Sequence, residues 1–298
     1  MSQVSIVSPP AVEPVSLQDL LNQMSLPVYS GDDGAAQTAR LTAYLMSARQ
    51  DLEKRMRRAL ITQRWVVRLD GFPGSSYRYE RPGYAEILLP FTPFQSIEFL
   101  RYVDTFGNLQ ELALDISYGT NLNQPYYGYQ LERGSLSQPA RLLPAWAKPW
   151  PPTRKVPAQI VIQFRCGYGS PWPVSLAQGS TALTAAGYTF NSQDAPLLVG
   201  DTGQPVCIPG AGAVVGGVAQ ALHTFVASVD DAGNATLADA ATTDVTNVQA
   251  WIGYPVPEPI KQAILFLAQY YAETGSVTNT NEPDVIDRLI SPYRNLVS

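Results

Sequence analysis

Charged residues, cysteine, histidine and long apolar runs are all scarce in this chain of 298 residues. Charged side chains make up 15% of it, whereas an ordinary soluble domain carries about 25%. Cys166 and Cys207 are the only cysteines and His223 is the only histidine, which is too few for a disulfide scaffold or a usual zinc set. No apolar run approaches the roughly 20 residues of a membrane span, so we expect no membrane partner.

The residues that are abundant indicate a folded, loop-rich and β-rich protein. Hydrophobic residues make up 45% and aromatic residues 10% of the chain, which also holds 25 prolines, 22 glycines and 16 tyrosines. So much apolar material argues against disorder, and the length allows two domains. Few charges together with many aromatics indicate large contacts with partner proteins. The first residues, Met-Ser-Gln-Val-Ser, show no signal peptide, so we expect a cytoplasmic setting with reduced thiols.

Charge is distributed unevenly along the chain. The formal net charge is −5. Residues 172–252 contain six Asp and no Lys, Arg or Glu, so this segment carries −6 and the remainder carries +1. A stretch of 81 residues without one basic side chain predicts a separate module. Its short apolar pieces, divided by Gly and Asp turns, leave three architectures open: a small β-sandwich, a barrel or a β-helix-like coil.

Helical patterns are clearest near the start of the chain. Ser16, with Asp19 three residues later, predicts a capping box at the start of a short helix. A long helix is predicted from Asp32 or Asp33 to Arg58. Its apolar residues recur at helical spacing on one face: Leu41, Leu45, Ala48, Leu52 and Met56.

Strand patterns follow, and helical patterns return near the end, where Pro259 suits the first turn of a helix. We therefore predict an α+β fold: a helical bundle with a small antiparallel sheet, plus an inserted all-β module. The predicted boundaries are an N-terminal arm at 1–14, a core at 15–171 and 253–290, the module at 172–252, and a C-terminal tail at 291–298.

No pattern of catalytic, cofactor-binding or metal-ligating residues stands out. His223 has no Gly-x-Ser-x-Gly elbow in the chain to act on, which favours a surface position. The run from Asp230 to Asn234 lacks the EF-hand spacing and its distal Glu, which favours a β-turn over a calcium site. Gly210-Ala211-Gly212 is not followed by Gly-Lys-Ser/Thr, which favours a plain turn. We expect no catalytic residue, no cofactor and no metal.

A basic cluster ends the long helix. Seven of the 20 Lys and Arg lie between Arg49 and Arg68. Such a patch can contact phosphate without reading a nucleic-acid sequence. The alternative is a solvated helix face, helped by cations near a helix C-terminus. No RNA-binding or helix-turn-helix motif indicates specific recognition.

Four sequence blocks, in this order, resemble one family. They are Arg58 to Trp65 with Leu69 to Pro73; Ile87 to Pro90 with Pro93 to Ile97, Tyr102 to Asp104 and Gly107; Pro139 to Arg141 with Trp150 to Arg154 and Val161 to Tyr168; and Val256 to Ile264. Together they are similar to the head–tail connector (adaptor or head-completion) proteins of tailed bacteriophages. The resemblance covers about residues 1–170 and 253–298. It does not cover 172–252, where usual members pass almost directly from the Gly-Tyr-Gly turn to the last helices.

The resemblance implies a structural protein without catalysis. Family members form a ring, typically dodecameric, that extends the DNA channel beneath the portal. The implied partners are the portal protein, a tail or stopper (head-completion) protein, further copies of the chain in a dodecameric ring, and genomic double-stranded DNA that passes non-specifically. The implied location is the virion neck, with assembly in the host cytoplasm.

The resemblance also suggests roles for two sets of residues. The DNA-channel candidates are Lys54, Arg57 and Arg58. The portal-binding candidates, all in the C-terminal tail, are Tyr293, Arg294, Leu296 and Val297. The acidic module at 172–252 is expected on the outer rim of the ring, because its charge suits no close contact with DNA. There it would shield the neck or dock fibres or whiskers.

Two other functions stay open from the sequence. One is a virion protein that binds or cleaves glycans through the β-module, with Trp172, Trp251 or Tyr188 stacking on sugar. The module holds Asp but no Glu, which weakens a glycosidase with paired carboxylates. The other is a DNA-binding packaging factor, which the near-neutral charge of the remaining chain disfavours.

Overall fold

The computed structural model describes residues 2–10, 12–27, 32–74, 85–114, 128–145, 148–185, 187–190, 196–197, 201–275 and 283–294. Of these residues, 37% lie in strands and 23% in helices. The described helices are α1 (Leu17–Gln23), α2 (Asp32–Met56), α3 (Glu258–Thr274) and α4 (Asp284–Ile290), and a 3-10 turn, Ser291–Tyr293, follows α4. Not one of these described helices combines the length and the apolar character needed to cross a membrane.

The helices pack together around an apolar cluster. The predicted apolar stripe of α2 is confirmed, since its residues are buried from Leu41, at 2% exposure, to Met56, at 0%. The predicted capping box is present at the start of α1: Ser16 Oγ accepts from the Asp19 N–H at 3.1 Å, and Asp19 Oδ2 accepts from the Ser16 N–H at 2.9 Å. Pro259 lies in the first turn of α3, as predicted, where its missing N–H leaves no helix bond unmade.

The first nine described strands form two sheets. They are β1 (Ser2–Ser8), β2 (Gln63–Leu69), β3 (Ile87–Leu88), β4 (Phe94–Val103), β5 (Leu109–Glu111), β6 (Ala113–Leu114), β7 (Gly128–Glu132), β8 (Arg141–Pro144) and β9 (Ile160–Cys166). The larger sheet has the order β1-β2-β9-β4-β5, and every pair in it is antiparallel. The smaller sheet has the order β3-β8-β7-β6, with β6 and β7 parallel. Leu100, Ile162 and Phe164 are fully buried in the cluster between these strands.

The next described strands build a barrel. They are β10 (Gly169–Leu176), β11 (Ala182–Ala185), β12 (Pro205–Ile208), β13 (Val214–Val215), β14 (Val218–Ala219), β15 (Leu222–Val229), β16 (Ala235–Leu237) and β17 (Val245–Gly253). Six of them close in the order β10-β11-β16-β15-β12-β17, while β13 and β14 form a separate hairpin. The barrel has its own buried cluster, which includes Val174, Ile208 and Ala250. A barrel was one of the three architectures that the sequence left open.

The predicted fold class, an α+β helical bundle with a small antiparallel sheet and an inserted all-β module, is wrong. The chain is mostly β, and its described helices stand beside two sheets and a closed six-stranded barrel. Strands β6, β7 and β11 are two to five residues long, too short to give a strong alternating pattern. Residues 2–8, expected only as an extended arm, pair with β2 as the edge strand β1.

Close backbone contacts join the barrel to the larger sheet. The chain enters β10 through a turn at Gly167 and Tyr168, and it leaves β17 at Gly253. The φ angle is 130° at Gly167 and 104° at Gly253. A Cβ at Gly167 would lie less than 3.0 Å from the backbone of Ile61, and one at Gly253 would lie as close to the backbone of Tyr168. Only glycine fits these conformations and this approach of backbones.

Candidate assembly surfaces

The three predicted channel residues lie at the end of α2 in two different environments. Lys54 and Arg57 are exposed. Arg58 is 2% exposed, and its Nη1 donates to the Leu136 carbonyl at 2.5 Å and to the Tyr168 hydroxyl at 3.1 Å. The structure thus brings Lys54 and Arg57 to the surface and places Arg58 in the joint between α2 and the turn that leads into the barrel.

A further arginine of the basic cluster is also internal. Arg49 is 3% exposed; its Nε lies 2.8 Å from Glu13 Oε2 and its Nη1 lies 2.6 Å from Glu53 Oε2. Glu53 also accepts from the Leu60 N–H at 2.8 Å. Burial raises the pKa of Glu53, and the Arg49 charge opposes that shift. These pairs tie the segment before α1 to the end of α2, so Arg49 serves the fold and contributes no basic surface.

The predicted portal-binding residues that the structure describes lie at this same end of α2. Tyr293 packs, partly buried, against the helical cluster. Arg294 Nη2 lies 2.7 Å from Asp287 Oδ1, and Arg55 Nη1 lies 3.8 Å from the same oxygen. Leu296 and Val297 lie outside the described residues. The structure therefore brings Tyr293 and Arg294 to the same end of the helical layer as the channel candidates.

Sequence reasoning missed the two edges of the larger sheet. At one edge, β1 exposes Val4, Ile6 and Val7 by 41%, 45% and 49%. At the opposite edge, Phe106 in the β4–β5 turn is 89% exposed, and Leu109, the first residue of β5, is 65% exposed. The exposure of Phe106 could have been predicted from the sequence, because an aromatic side chain in the tight turn of a hairpin has few residues of its own chain to pack against.

The β4–β5 turn has the same form as a turn in the barrel. In each, an Asp begins a five-residue Asp-x-x-Gly-Asn segment, one from Asp104 to Asn108 and the other from Asp230 to Asn234. The Asn N–H donates to the first Asp carboxylate at 2.8 Å in one turn and 2.7 Å in the other. The Gly N–H donates to the Asp carbonyl at 3.1 Å in both. The prediction of a β-turn at Asp230 is confirmed.

Asp104 holds the turn that presents Phe106, and its loss is expected to loosen that turn. Its carboxylate accepts from the Phe106 and Asn108 N–H groups at 2.9 and 2.8 Å. The Asn108 bond is the main reason that the pKa of Asp104 is lowered from 3.8. Because the folded-state pKa is the lower one, this stabilisation is present above pH 3.8 and is lost as pH falls through the lowered pKa.

We expect Asp104→Ala to speed hydrogen exchange at the Phe106 and Asn108 amides at neutral pH, measured by NMR against intrinsic rates. In the unsubstituted protein the same amides should lose protection only below pH 3.8. Asp230→Ala is the matched control, since it removes the equivalent carboxylate from the barrel and should loosen the turn at Asn234 while leaving Phe106 and Asn108 protected. Unchanged protection of Asn108 in Asp104→Ala would show that the carboxylate does not hold the turn.

The aromatic residues named for glycan binding do not form one platform. Trp172 and Tyr188 lie 5.3 Å apart between ring centroids, and Tyr188 meets Phe190 at the same distance. Trp172 pairs with Ala250 in the β10–β17 ladder, whereas Trp251 pairs with Pro171. Neighbouring positions of a strand face opposite sides, so the two tryptophans point away from each other. Trp251 packs instead against the helical cluster.

The remaining candidates for chemistry are dispersed. His223 is exposed on β15, and its Nε2 lies 4.0 Å from Cys207 Sγ on β12. Cys166 and Cys207 are both free thiols, and burial raises the pKa of each. Among the residues that the structure describes, no group of three or more His, Cys, Asp or Glu is placed to hold a metal ion. Asp194, the sixth acid of the module, lies outside those residues.

Comparisons with known proteins find a shared fold. No protein-family model and no curated protein matches the chain. One similar solved structure is a chain of the neck of an empty gene transfer agent (GTA) particle, computed with C6 symmetry: the TM-score is 0.54 at 16% identity, over 99% of this chain and 97% of that one. Another, from the virion of a native GTA particle, has a TM-score of 0.50 at 15% identity over the same shares. Since nearly all of both chains is covered, the likeness extends through the barrel.

Proposed function

We propose that this chain is a structural subunit of the neck of a phage-like particle. In this function it forms the adaptor ring between portal and tail, extends the DNA channel and docks the tail or stopper protein. The observation that carries the proposal is the fold likeness to a neck chain of a GTA particle over 99% of this chain. The ordered sequence blocks that resemble phage connector proteins support the same function independently of the fold.

A dodecameric ring is the assembly that we propose. The neck that contains the similar chain was computed with C6 symmetry, and twelve copies are compatible with such symmetry. A ring requires two different contact surfaces on each subunit, one for each neighbour. A chain with 15% charged residues and with apolar side chains exposed at both edges of one sheet is suited to such contacts.

We assign the DNA channel and the portal contact to the same end of the helical layer. Lys54 and Arg57 are exposed there and can line a channel, whereas Arg58 is buried and bonds to Tyr168 in the turn that leads into the barrel. Few basic groups suit a channel, because tight multivalent binding of phosphate would hold the DNA in place. Tyr293, Arg294, Leu296 and Val297 would then anchor the tail of the chain on the portal ring.

The barrel belongs on the outer rim in this arrangement. Its segment carries −6 and no basic side chain, so it would be repelled by DNA in a channel. The rim is also where it can shield the neck or receive fibres or whiskers. The β13–β14 hairpin, which exposes Val214, Val215 and Val218 at the tip of the barrel, takes no part in the portal contact in this arrangement.

Negative-stain imaging of the purified chain with portal rings from the same genome tests the proposal. We expect extra density with sixfold or twelvefold symmetry on one face of the portal, with the barrels outermost. A chain ending at residue 290 should lose this density. Its circular dichroism spectrum is compared with that of the full chain, because the truncation also removes the packing of Tyr293 and the pair of Arg294 with Asp287. Val215→Lys, a change on the barrel tip, should bind like the unsubstituted protein. A chain that never binds the portal would refute the neck function.

A further inference from the structure

The strand β1 is held in a way that is unusual for an edge strand. Residues 3 to 7 are all exposed, so β1 adds almost nothing to the core of its own subunit. Ordering a seven-residue strand costs backbone entropy that burial must offset. Its sequence, SQVSIVS, contains no charge and no proline, the usual devices that keep an edge from pairing with another chain. Its one register irregularity falls at the end, between Ile6 and Ser8.

A groove runs beside this edge. Val4 and Ile6 point to the same face as Trp65 and Val67, their partners on β2. On that face an open cavity of 360 Å³ is lined mainly by apolar side chains: Val4, Val67, Leu69, Ile87, Leu88 and Pro90. Leu88 is still 44% exposed. No described strand pairs with the outer side of β1, so this edge offers backbone groups for pairing next to an apolar groove.

At the opposite edge of the same sheet, apolar side chains project from the surface and could fill an apolar groove. No described strand pairs with the outer side of β5. Phe106 and Leu109 lie at this edge with 89% and 65% exposure, and the Asp104 carboxylate holds the turn that carries Phe106. A projection at one edge and a groove at the other are two different surfaces, which favours head-to-tail contacts between copies over a two-fold dimer.

We propose that neighbouring copies of this chain join edge to edge, with β5 of one subunit pairing with β1 of the next and Phe106 seated in the groove beside Val4. The proposal rests on the proposed ring. In the order β1-β2-β9-β4-β5 every pair is antiparallel, so β1 and β5 run in the same direction. A small rotation between neighbours in a ring preserves that direction, so the pair across the interface is parallel.

Two variants, each altered at one edge, test this pairing. Ile6→Lys places a charge on β1, and Phe106→Ser removes the projection; each is expected to raise the concentration needed for assembly roughly tenfold or more, as for the loss of a central interface residue. Val215→Lys and Phe225→Ser are matched controls, because they make the same kinds of change at exposed sites of the barrel, at 64% and 53% exposure. Circular dichroism verifies that all four variants fold.

Mixing the two edge variants gives the sharpest result. Each keeps one intact edge, so an equimolar mixture should form dimers that cannot grow, seen by mass photometry both alone and on portal rings. Rings formed by either variant as readily as by the unsubstituted protein would overturn the edge pairing and leave the neck function standing. Single copies bound to portal without mutual contact would do the same. An unsubstituted chain that neither self-associates nor binds portal would overturn both proposals.

Discussion

Replacing Glu98 by alanine is expected to lower the free energy of unfolding by about 3–5 kcal/mol, because it removes a buried carboxylate that pairs with two arginines. Glu98 lies on β4 with its side chain 7% exposed, and Oε1 is 2.7 Å from Nε of both Arg64 and Arg165. Arg165 is itself 3% exposed. One carboxylate thus bridges two guanidinium groups within the sheet, and its removal leaves two like charges adjacent in a poorly solvated site.

The matched control is Glu111→Ala, at the edge of the same sheet. Glu111 also pairs with an arginine, Arg101, at 2.8 Å, but the two side chains are 53% and 42% exposed. Exposed pairs contribute between about 0 and 1 kcal/mol. Urea denaturation followed by hydrogen exchange at the amides of β2 and β9 measures both variants. Equal effects at Glu98 and Glu111 would show that burial of the pair does not determine its contribution.

The second large effect is expected at Gly167, between β9 and the barrel. Alanine there must adopt a φ near 130° and place its Cβ less than 3.0 Å from the backbone of Ile61 and Thr62. The surrounding bonds resist relaxation, since the Gly167 N–H donates to the Pro93 carbonyl at 2.7 Å and the Gly167 carbonyl accepts from Gln95 Nε2 at 2.9 Å. We expect Gly167→Ala to cost about 3–5 kcal/mol.

Gly179→Ala separates backbone conformation from crowding. Gly179 also has a positive φ, 75°, but nothing lies within 4 Å of a Cβ at that position. Gly179→Ala should lower the free energy of unfolding by about 1 kcal/mol, which is the penalty of the left-handed conformation alone. Differential scanning calorimetry with hydrogen exchange distinguishes the two variants and reports whether the barrel loosens from the sheet. If Gly167→Ala lowered the free energy of unfolding no more than Gly179→Ala does, the backbone around Gly167 would be able to make room for a Cβ at little cost.

Features that depend on residues close together in the sequence could be predicted correctly. The stripe of α2 repeats at helical spacing, the capping box needs only Ser16 and Asp19, and the turn at Asp230 needs only five residues. For the same reason the sequence could predict short strands and turns in the acidic segment. It could not select a barrel from three architectures, because closure depends on β10 pairing with both β11 and β17.

Features made by distant residues could not be predicted. Arg58 was grouped with Lys54 and Arg57 because it shares their helix end, but its partners, Leu136 and Tyr168, come from other parts of the chain. Likewise, β1 became a strand through pairing with β2, some sixty residues later. The helical bundle was overestimated because a helix shows its periodicity within its own sequence, whereas a two-residue strand such as β6 is defined only by the strand it pairs with.

The attachment of the barrel has a consequence for the folding of the rest of the chain. β10 and β17 are adjacent antiparallel strands, and Gly169 is paired with Gly253. Their backbones are therefore one interstrand spacing apart, about 5 Å. If the segment from Gly169 to Gly253 were unstructured, bringing its two ends this close would cost entropy that grows with the logarithm of the number of residues. A barrel that folds by itself holds its two ends together in advance, so β9 and α3 meet across it as if joined by a hairpin turn. The long segment between them thereby becomes a short-range connection for the core.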